Sequence, residues 1–211
     1  MLVFRKSYAV LALLGVSALV LAGCQRNPLV VKRSACPAVA VPIYANDMTL
    51  FYPGTAPDTG NVDMTATITN LRGICNEAET QLGSNVSYQV VARRSNVSGA
   101  RTITVPVFAS VVQGGNLLVS KQISSITLVF PAGQARAVSA GAARATVSRE
   151  AASLPVNILK KISKKRRAGD PDAAVDPMAD PQVRAAMRAA SFEVLVGFQL
   201  TEQQLAYNVT K

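Results

Sequence analysis

Apolar and polar residues alternate with a period of two along four stretches of the chain. Successive side chains of a β-strand point to opposite faces, so this period predicts strands that bury one face. The apolar members are Val62, Met64, Ala66 and Ile68 in the first stretch; Val86, Tyr88, Val90 and Ala92 in the second; Ile103, Val105, Val107, Ala109 and Val111 in the third; and Phe192, Val194, Val196, Phe198 and Leu200 in the fourth.

Glycine and proline positions refine this pattern. Gly114 and Gly115 separate the third stretch from another apolar run at 117–130, which predicts a β-hairpin. Pro106 lies inside the third stretch, where it cannot donate a ladder hydrogen bond, so we expect it on an edge strand or at a bulge. Residues 135–149 are rich in alanine and would suit a helix, but Gly141 and the alternation around it favour a further strand.

The region at about 155–191 has a helical pattern instead. Its apolar residues at helical spacing are Ile158, Leu159 and Ile162. Gly169 is expected to end this first helix, and Asp180 followed by Pro181 is typical of the N-terminus of a second one. We therefore expect a helical hairpin inserted between two strands.

These elements predict one mainly β domain over residues 36–211. About seven strands are joined mostly by short turns, and no regular alternation of strands and helices is present. This order favours an antiparallel β-sandwich of immunoglobulin or fibronectin type III character, with the helical hairpin as an insertion.

The first 23 residues have the three-part layout of a secretory signal peptide. Arg5 and Lys6 precede an apolar run from about residue 8 to residue 21, and the small residues Ala22 and Gly23 follow it. The apolar run of about 14 residues is shorter than the roughly 20 that a transmembrane helix needs. It therefore predicts a cleaved signal and not a membrane span.

The sequence Leu-Ala-Gly-Cys at residues 21–24 resembles the lipobox of bacterial lipoproteins. The resemblance implies that the signal is cleaved before Cys24, that Cys24 receives a thioether diacylglyceryl group and an N-acyl chain such as palmitate, and that residues 24–35 form a tether. Two or more acyl chains suffice for stable anchoring. In enteric lipoproteins, Asp after the lipidated cysteine resembles a signal for retention in the inner membrane. Since Gln25 occupies this position here, the resemblance implies the outer membrane, facing the periplasm, and the inner membrane stays open. Arg26, Lys32 and Arg33 are expected near the lipid headgroups.

The part from Cys36 to Lys211 is also similar to lipoproteins of alphaproteobacteria that have no assigned activity, and the tail at 192–211 carries most of this likeness. Cys36 and Cys75 are the two remaining cysteines, and an exported chain meets an oxidising compartment, so we expect a disulfide between them. Free thiols or metal ligation are the alternatives. Metal ligation is poorly supported, because the chain has no histidine and no C-x-x-C pair.

The absence of histidine excludes Ser-His-Asp and Cys-His catalysis. Carboxylate pairs could still hydrolyse a glycosidic bond, and the candidates are Glu77 with Glu79 and Glu193 with Glu202, against the alternative of solvated surface charge. The aspartates that could offer calcium ligands are Asp170, Asp172, Asp176 and Asp180. Their spacing lacks the EF-hand pattern and its closing glutamate, so a proline-stiffened, helix-capping loop is the alternative.

The net charge is +10, which suits anionic partners. Export argues against nucleic acid. The densest basic cluster consists of Lys160, Lys161, Lys164, Lys165, Arg166 and Arg167. It is expected either to contact an anionic envelope surface or to form a solvated helix face that the following aspartates partly neutralise.

These observations favour a non-enzymatic envelope lipoprotein that acts as a structural or protein-interaction module, with no cofactor and no metal. Its expected partners are the membrane, through the lipid, and another envelope protein or an anionic envelope surface. The alternatives are a hydrolase that uses a carboxylate pair on cell-wall or lipid substrates, and a carrier of small hydrophobic ligands between the sheets.

Overall fold

Strands form most of the regular structure in a computed structural model that describes residues 33–166 and 169–211. The strands are β1 (Ala38–Ala40), β2 (Asp47–Phe51), β3 (Val62–Glu77), β4 (Gln81–Arg94), β5 (Arg101–Gln113), β6 (Leu117–Phe130), β7 (Arg136–Ser148) and β8 (Phe192–Phe198). The helices are α1 (Arg149–Ala152), α2 (Val156–Ser163), α3 (Pro181–Ala189) and α4 (Glu202–Thr210). The predicted signal peptide, Cys24, the tether before Arg33, and Arg167 lie outside the described residues.

The strands form two four-stranded sheets. Sheet I has the order β1-β8-β5-β6 and sheet II the order β2-β3-β4-β7, and one of the two curls into a half-barrel. Every strand pair is antiparallel among the described residues except β1 with β8, which is parallel. The expectation of a purely antiparallel fold is therefore wrong at β1. Three residues are too few to show a period of two, so the alternation does not indicate this strand.

The core lies between the two sheets and takes side chains from both. The predicted inward faces of β3, β4, β5 and β8 are confirmed at their centres, and Ile126, Leu128 and Phe130 complete the core from β6. Residues at the ends of these faces, such as Val62, Ile103 and Leu200, are only half-buried. Hydrophobic burial in this shared layer holds the sheets together.

The prediction for Pro106 is wrong, because β5 lies between β8 and β6 and is not an edge strand. The β8 pairing covers only Val107 to Gln113, so Pro106 lies just beyond the end of that ladder. Its carbonyl accepts a hydrogen bond from the backbone N–H of Gln199 at 3.0 Å. The nitrogen of Pro106 also faces β8. The missing N–H donor therefore affects only the position next to the end of the β5–β8 ladder.

The predicted hairpin and the predicted strand after it are both confirmed. Gly114 and Gly115 have φ angles of 65° and 81°, a conformation that glycine adopts without a steric penalty, and they connect β5 to β6. The alanine-rich residues 136–148 form β7. Gly141 lies there under the ring of Tyr88, and a β-carbon at this position would be 2.4 Å from that ring.

The disulfide between Cys36 and Cys75 is confirmed, with the two Cα atoms 6.0 Å apart. It joins the segment before β1, in sheet I, to β3, in sheet II. Gly73 lies beside it, and a β-carbon there would be 2.5 Å from a methyl group of Val39 in β1. The covalent link and this close packing together fix the edge of one sheet against the other.

The helical insertion is confirmed, as are Asp180 and Pro181 at the start of its second helix. The two helices pack through a small core of their own, formed by Ile158, Ile162 and Val183. The prediction that the first helix ends at Gly169 is wrong, because α2 ends at Ser163. The chain leaves the helix there and brings the side chains of Lys164 and Arg166 to Asp172, so ion pairing replaces a further helical turn.

The tail forms a helix that the alternation of residues 192–200 did not indicate. Thr201 and Gln204 form a capping box at the start of α4. The helix packs on β2, where the rings of Phe51 and Tyr207 meet edge to face at 4.9 Å between centroids. The side-chain amide of Asn208 donates to the carbonyls of Tyr44 and Asp47.

Arg33 lies in the expected tether and contacts the folded domain. Its guanidinium donates to the carbonyl of Ala152 at 2.8 Å and to that of Ala190, and burial lowers its pKa. Arg33, three residues before Cys36, therefore contacts the folded domain, and the expected position of the tether near lipid headgroups stays a prediction.

Candidate anion-binding surfaces

The predicted basic cluster begins in α2 and continues into the segment after it. Lys160 and Lys161 lie in the helix, Lys164, Lys165 and Arg166 follow it, and Arg167 is outside the described residues. Lys161 forms an ion pair with Asp180. Lys164 lies 2.7 Å and Arg166 3.6 Å from the same oxygen of Asp172.

These ion pairs neutralise much of the helical cluster. The hydrogen bond from Lys164 is the main cause that lowers the pKa of Asp172, and the hydrogen bond from Lys161 does the same for Asp180. The Arg166 side chain is only 5% exposed. Among the described members, Lys160 and Lys165 are exposed and form no ion pair with a described residue, so two cations remain for a partner. The arrangement resembles the partly neutralised helix face more than an open cationic patch, and contact with an anionic surface stays a prediction.

Asp172, Asp176 and Asp180, three of the four aspartates proposed as calcium ligands, are used for capping or ion pairing. The carboxylate of Asp176 accepts from the backbone N–H of Met178 and that of Asp180 from Gln182, each at 2.8 Å. Asp172 is engaged by the two basic side chains already described. Within the ranges that the structure describes, no three His, Cys, Asp or Glu side chains cluster in a way that could hold a metal ion.

The structure does not bring the proposed carboxylate pairs into a shared pocket. Glu77, at the end of β3, lies 3.0 Å from a guanidinium nitrogen of Arg149. Glu193 is in β8, and Glu202 is in the first turn of α4. None of the four glutamates lines any of the three concavities described next.

The largest of these concavities, about 590 Å³, lies on the outer face of sheet II. Its lining residues are Thr65, Thr67, Thr69, Asn70, Gln89, Val91, Ala92, Arg93, Ala135 and Arg136. The second, about 360 Å³, is at the end of the fold where Asp63 pairs with Arg101 through contacts of 2.6 and 2.7 Å. The third, about 340 Å³, lies at the seam between β6 and β7.

We use the name arginine face for the exposed outer surface of sheet II that carries Arg72, Arg93, Arg136 and Arg144. None of these four side chains forms a hydrogen bond or ion pair with a described residue. β4 and β7 contain no acidic residue. The two acids of β3, Asp63 and Glu77, lie at its ends and are paired with other arginines. The arginine face is therefore a region of uncompensated positive charge.

Arg94, the next residue along β4, has a different environment. It is 3% exposed, and its guanidinium donates to the carbonyls of Gln134 and Pro131, each at 3.0 Å. It also lies over the ring of Phe130, 5.2 Å from the centroid. Adjacent residues of a strand point to opposite faces of the sheet. The side chain of Arg93 is therefore exposed and available to a binding partner, whereas that of Arg94 holds the β6–β7 connection against β4.

The seam between the sheets is open along one half of β6. This strand is the edge of sheet I, and its residues 117–125 are all exposed, whereas Ile126, Leu128 and Phe130 are buried. The alanines and the glycine on the inner face of β7 leave room opposite it. Tyr88 crosses this space and hydrogen-bonds Ser124, and burial raises the pKa of Tyr88. The groove is lined by Ala109, Gln122, Ile123, Ser124, Ala142, Ala143 and Arg144, so polar and charged groups interrupt its apolar surface.

No short segment of the sequence contains the arginine face, so it was not predicted. Arg93 and Arg136 are 43 positions apart in the chain and become neighbours only through the β4–β7 register. A signal was nevertheless present, since the polar alternating positions of two predicted strands contained arginine and no acid. Reading that signal requires knowing which strands pair.

Comparisons of the chain with protein-family models, with curated proteins and with solved structures gave no significant match. None of the helices in the described part of the chain is long and apolar enough to cross a membrane.

Proposed function

We propose that the protein is a non-enzymatic lipoprotein of the bacterial envelope, anchored through Cys24 and facing the periplasm from the outer membrane, and that it acts as a protein-interaction module. The signal and lipobox pattern of residues 1–24 supports the anchor. The disulfide supports an oxidising compartment. In this proposal the two sheets form a sandwich of immunoglobulin or fibronectin type III character, a scaffold that binds through its strand edges and loops.

One observation carries the interaction role, namely the exposed edge of β6. Over residues 117–125 its exposed apolar side chains are Leu117 (58%), Leu118 (56%), Val119 (52%) and Ile123 (62%). An unpaired edge offers backbone donors and acceptors, and exposed apolar residues on both faces add contact area. We propose that an extended segment of another envelope protein adds to β6 as a strand.

Photo-cross-linking in intact cells tests this proposal. A photoreactive amino acid at Ile123 is expected to trap one defined envelope protein, while the same probe at Val138, which is 52% exposed on sheet II, traps none. The double variant Val119→Lys/Ile123→Lys should abolish capture by a probe at Leu117, because inserted lysines protect strand edges. Val138→Lys is the matched control and should leave capture unchanged.

Docking at β6 is contradicted if the double variant still captures the partner. It is also contradicted if the probes at Ile123 and Val138 capture the same protein. The variant Cys24→Ser tests the proposed membrane anchor independently of the proposed binding site at the β6 edge. It should move the protein from the membrane fraction to the soluble fraction, while a purified partner still binds it.

A further inference from the structure

We propose that the arginine face binds an anionic glycan, a sugar chain that carries carboxylate or phosphate groups. This site lies on sheet II and does not depend on the anchor. Arg93 and Arg136 line the recess on its outer face, whereas Arg144 lines the seam that Ile123 of β6 also lines. Four observations lead to it: the pairing of two arginines, the recess beside them, the mixture of groups that line the recess, and the second arginine pair further along the strands.

The first observation is the direct pairing of like charges. Arg93 lies between Thr65 and Arg136 in a row across three strands, as the Cα register of sheet II shows. Like charges directly opposite each other destabilise a sheet. No described acidic side chain pairs with either arginine. An anion bound between the two guanidiniums would remove the repulsion, and each guanidinium can bind a carboxylate or a phosphate through two parallel hydrogen bonds.

The second observation is the shape of the surface. The recess of about 590 Å³ beside these arginines is within the size range of small-ligand sites. A membrane surface cannot enter such a recess, whereas a sugar residue can. The concave shape therefore favours a discrete ligand over a lipid bilayer.

The third observation is the chemistry of the lining. Hydroxyl and amide groups accompany the guanidiniums: Thr65, Thr69, Asn70 and Gln89 all line the recess. The amide of Asn70 donates to the Oε1 atom of Gln89 at 2.6 Å, which leaves the amide hydrogens of Gln89 for a ligand. The hydroxyl of Thr67 donates to Asp47 at 2.7 Å, so its oxygen remains as an acceptor. Neutral donors and acceptors next to fixed cations match a ligand that has both hydroxyl and anionic groups.

The fourth observation is the repetition of charge along the strands. Arg72 and Arg144 lie towards the other end of the same face, in neighbouring rows beside Ser87 and Asn85 of β4. Arg144 is about 26 Å from Arg136 along β7, at roughly 3.3 Å per residue. Between the two arginine pairs, the outer face carries the exposed polar residues Ser87 and Gln89, the half-buried Thr67 and Thr69, and the exposed apolar residues Val138, Ala140 and Ala142. This spacing suits a linear ligand with repeated anionic groups better than a single ion.

Among the described residues, Asp47 is the one acidic side chain that hydrogen-bonds a lining residue of the recess, Thr67. Its second carboxylate oxygen lies 3.6 Å from the amine of Lys211, so its charge is partly compensated. The field of the arginine face therefore stays positive.

Isothermal titration calorimetry on the full-length mature protein, purified in detergent, tests the proposal. The ligands are oligogalacturonate as a carboxylate glycan, a phosphorylated mannan as a phosphate glycan, neutral dextran, inorganic phosphate, and vesicles that contain phosphatidylglycerol. We expect one of the two anionic glycans to bind, dextran not to bind, and inorganic phosphate to bind at least tenfold more weakly. Added salt should weaken the glycan binding.

The double variant Arg93→Gln/Arg136→Gln should weaken glycan binding at least tenfold. Its matched control is Lys160→Gln/Lys165→Gln, which removes the same charge from the two unpaired lysines of the helical cluster and should leave binding unchanged. Arg72→Gln/Arg144→Gln should weaken the binding of long oligomers and spare that of trimers. All six side chains are exposed, and unchanged melting temperatures would show that the variants remain folded.

Three results would overturn the proposal. They are equal losses in the Arg93/Arg136 and Lys160/Lys165 variants, binding to vesicles with neither anionic glycan, and binding of dextran as strong as that of the charged glycans. None of them bears on the β6 edge, which the cross-linking experiment tests separately.

Discussion

The helical cluster and the arginine face are both basic, but they differ in how their charge is compensated. The helical cluster has the higher local density of lysine and arginine, yet acidic partners from the following loop contact Lys161, Lys164 and Arg166. The arginine face has four cations spread over three strands, and none has an acidic partner among the described residues. The density of basic residues along the sequence is thus a poor guide to the electrostatic potential at the surface. Acidic residues from neighbouring elements decide how much of the positive charge stays unpaired.

Arg93 and Arg94 are adjacent in β4 and show the same contrast between a free and an engaged charge. Replacing each of them should give the largest difference in stability. Arg94→Gln should lower the free energy of unfolding by about 3 kcal/mol, because it removes the charge-assisted hydrogen bonds of a buried guanidinium and its contact with Phe130. Arg93→Gln should change it by less than about 0.5 kcal/mol, as is usual for exposed positions. Chemical denaturation of both variants measures the two changes in the free energy of unfolding. Equal losses of stability would contradict the assignment of a structural role to Arg94 and not to Arg93.

An intermediate effect is expected from removing a compensating acid. Asp172→Asn leaves Lys164 and Arg166 without their carboxylate, so the helical cluster should behave more like an open cationic patch. Binding to vesicles that contain phosphatidylglycerol should rise several-fold at low salt. Glu202→Gln removes one negative charge from the first turn of α4 and is the matched control. A rise of the same size in both variants would indicate net charge, and not local pairing, as the cause.

The smallest effect is expected from acidification. The pKa values of Asp172 and Asp180 are lowered in the folded protein by Lys164 and Lys161, so their ion pairs stabilise the helical hairpin above the ordinary pKa of 3.8. This stabilisation is lost as the pH falls through the lowered values. Hydrogen exchange of residues 156–163 and 181–189 should therefore increase selectively below about pH 4, relative to the exchange of β3 and β4. The change should shrink at high salt, because the pairs are exposed. A uniform change over the whole chain would contradict this assignment.

Periodicity predicted the strands well where each strand has one buried face. The inward positions of β3, β4, β5 and β8 follow from the alternation alone, because burial on one face imposes it. The exposed half of β6 could not be recognised in this way, since its apolar residues resemble those of a buried strand. Burial there depends on the distance between β6 and β7, which is a property of the assembled sheets.

Two errors have local causes. The end of α2 was assigned from Gly169, whereas ion pairs to Asp172 draw the chain out of the helix at Ser163. The helix α4 was not predicted, although Thr201 and Gln204 form a capping box at its start. The period-two alternation of residues 192–200 extends up to this box and indicates a strand. The pairing of Arg93 with Arg136 is a different kind of failure, since the sequence holds no local trace of a register between distant strands.

The disulfide has a mechanical consequence. A pull on the N-terminus first loads the hydrogen bonds of Arg33 and then reaches Cys36. From there the disulfide passes the load to Cys75 of β3, a strand paired with β4 as far as Glu77. The short strand β1 is thereby relieved of tension that would otherwise peel it from β8. Reduction of the disulfide should therefore turn a tension-resistant attachment into one that unzips from its first strand.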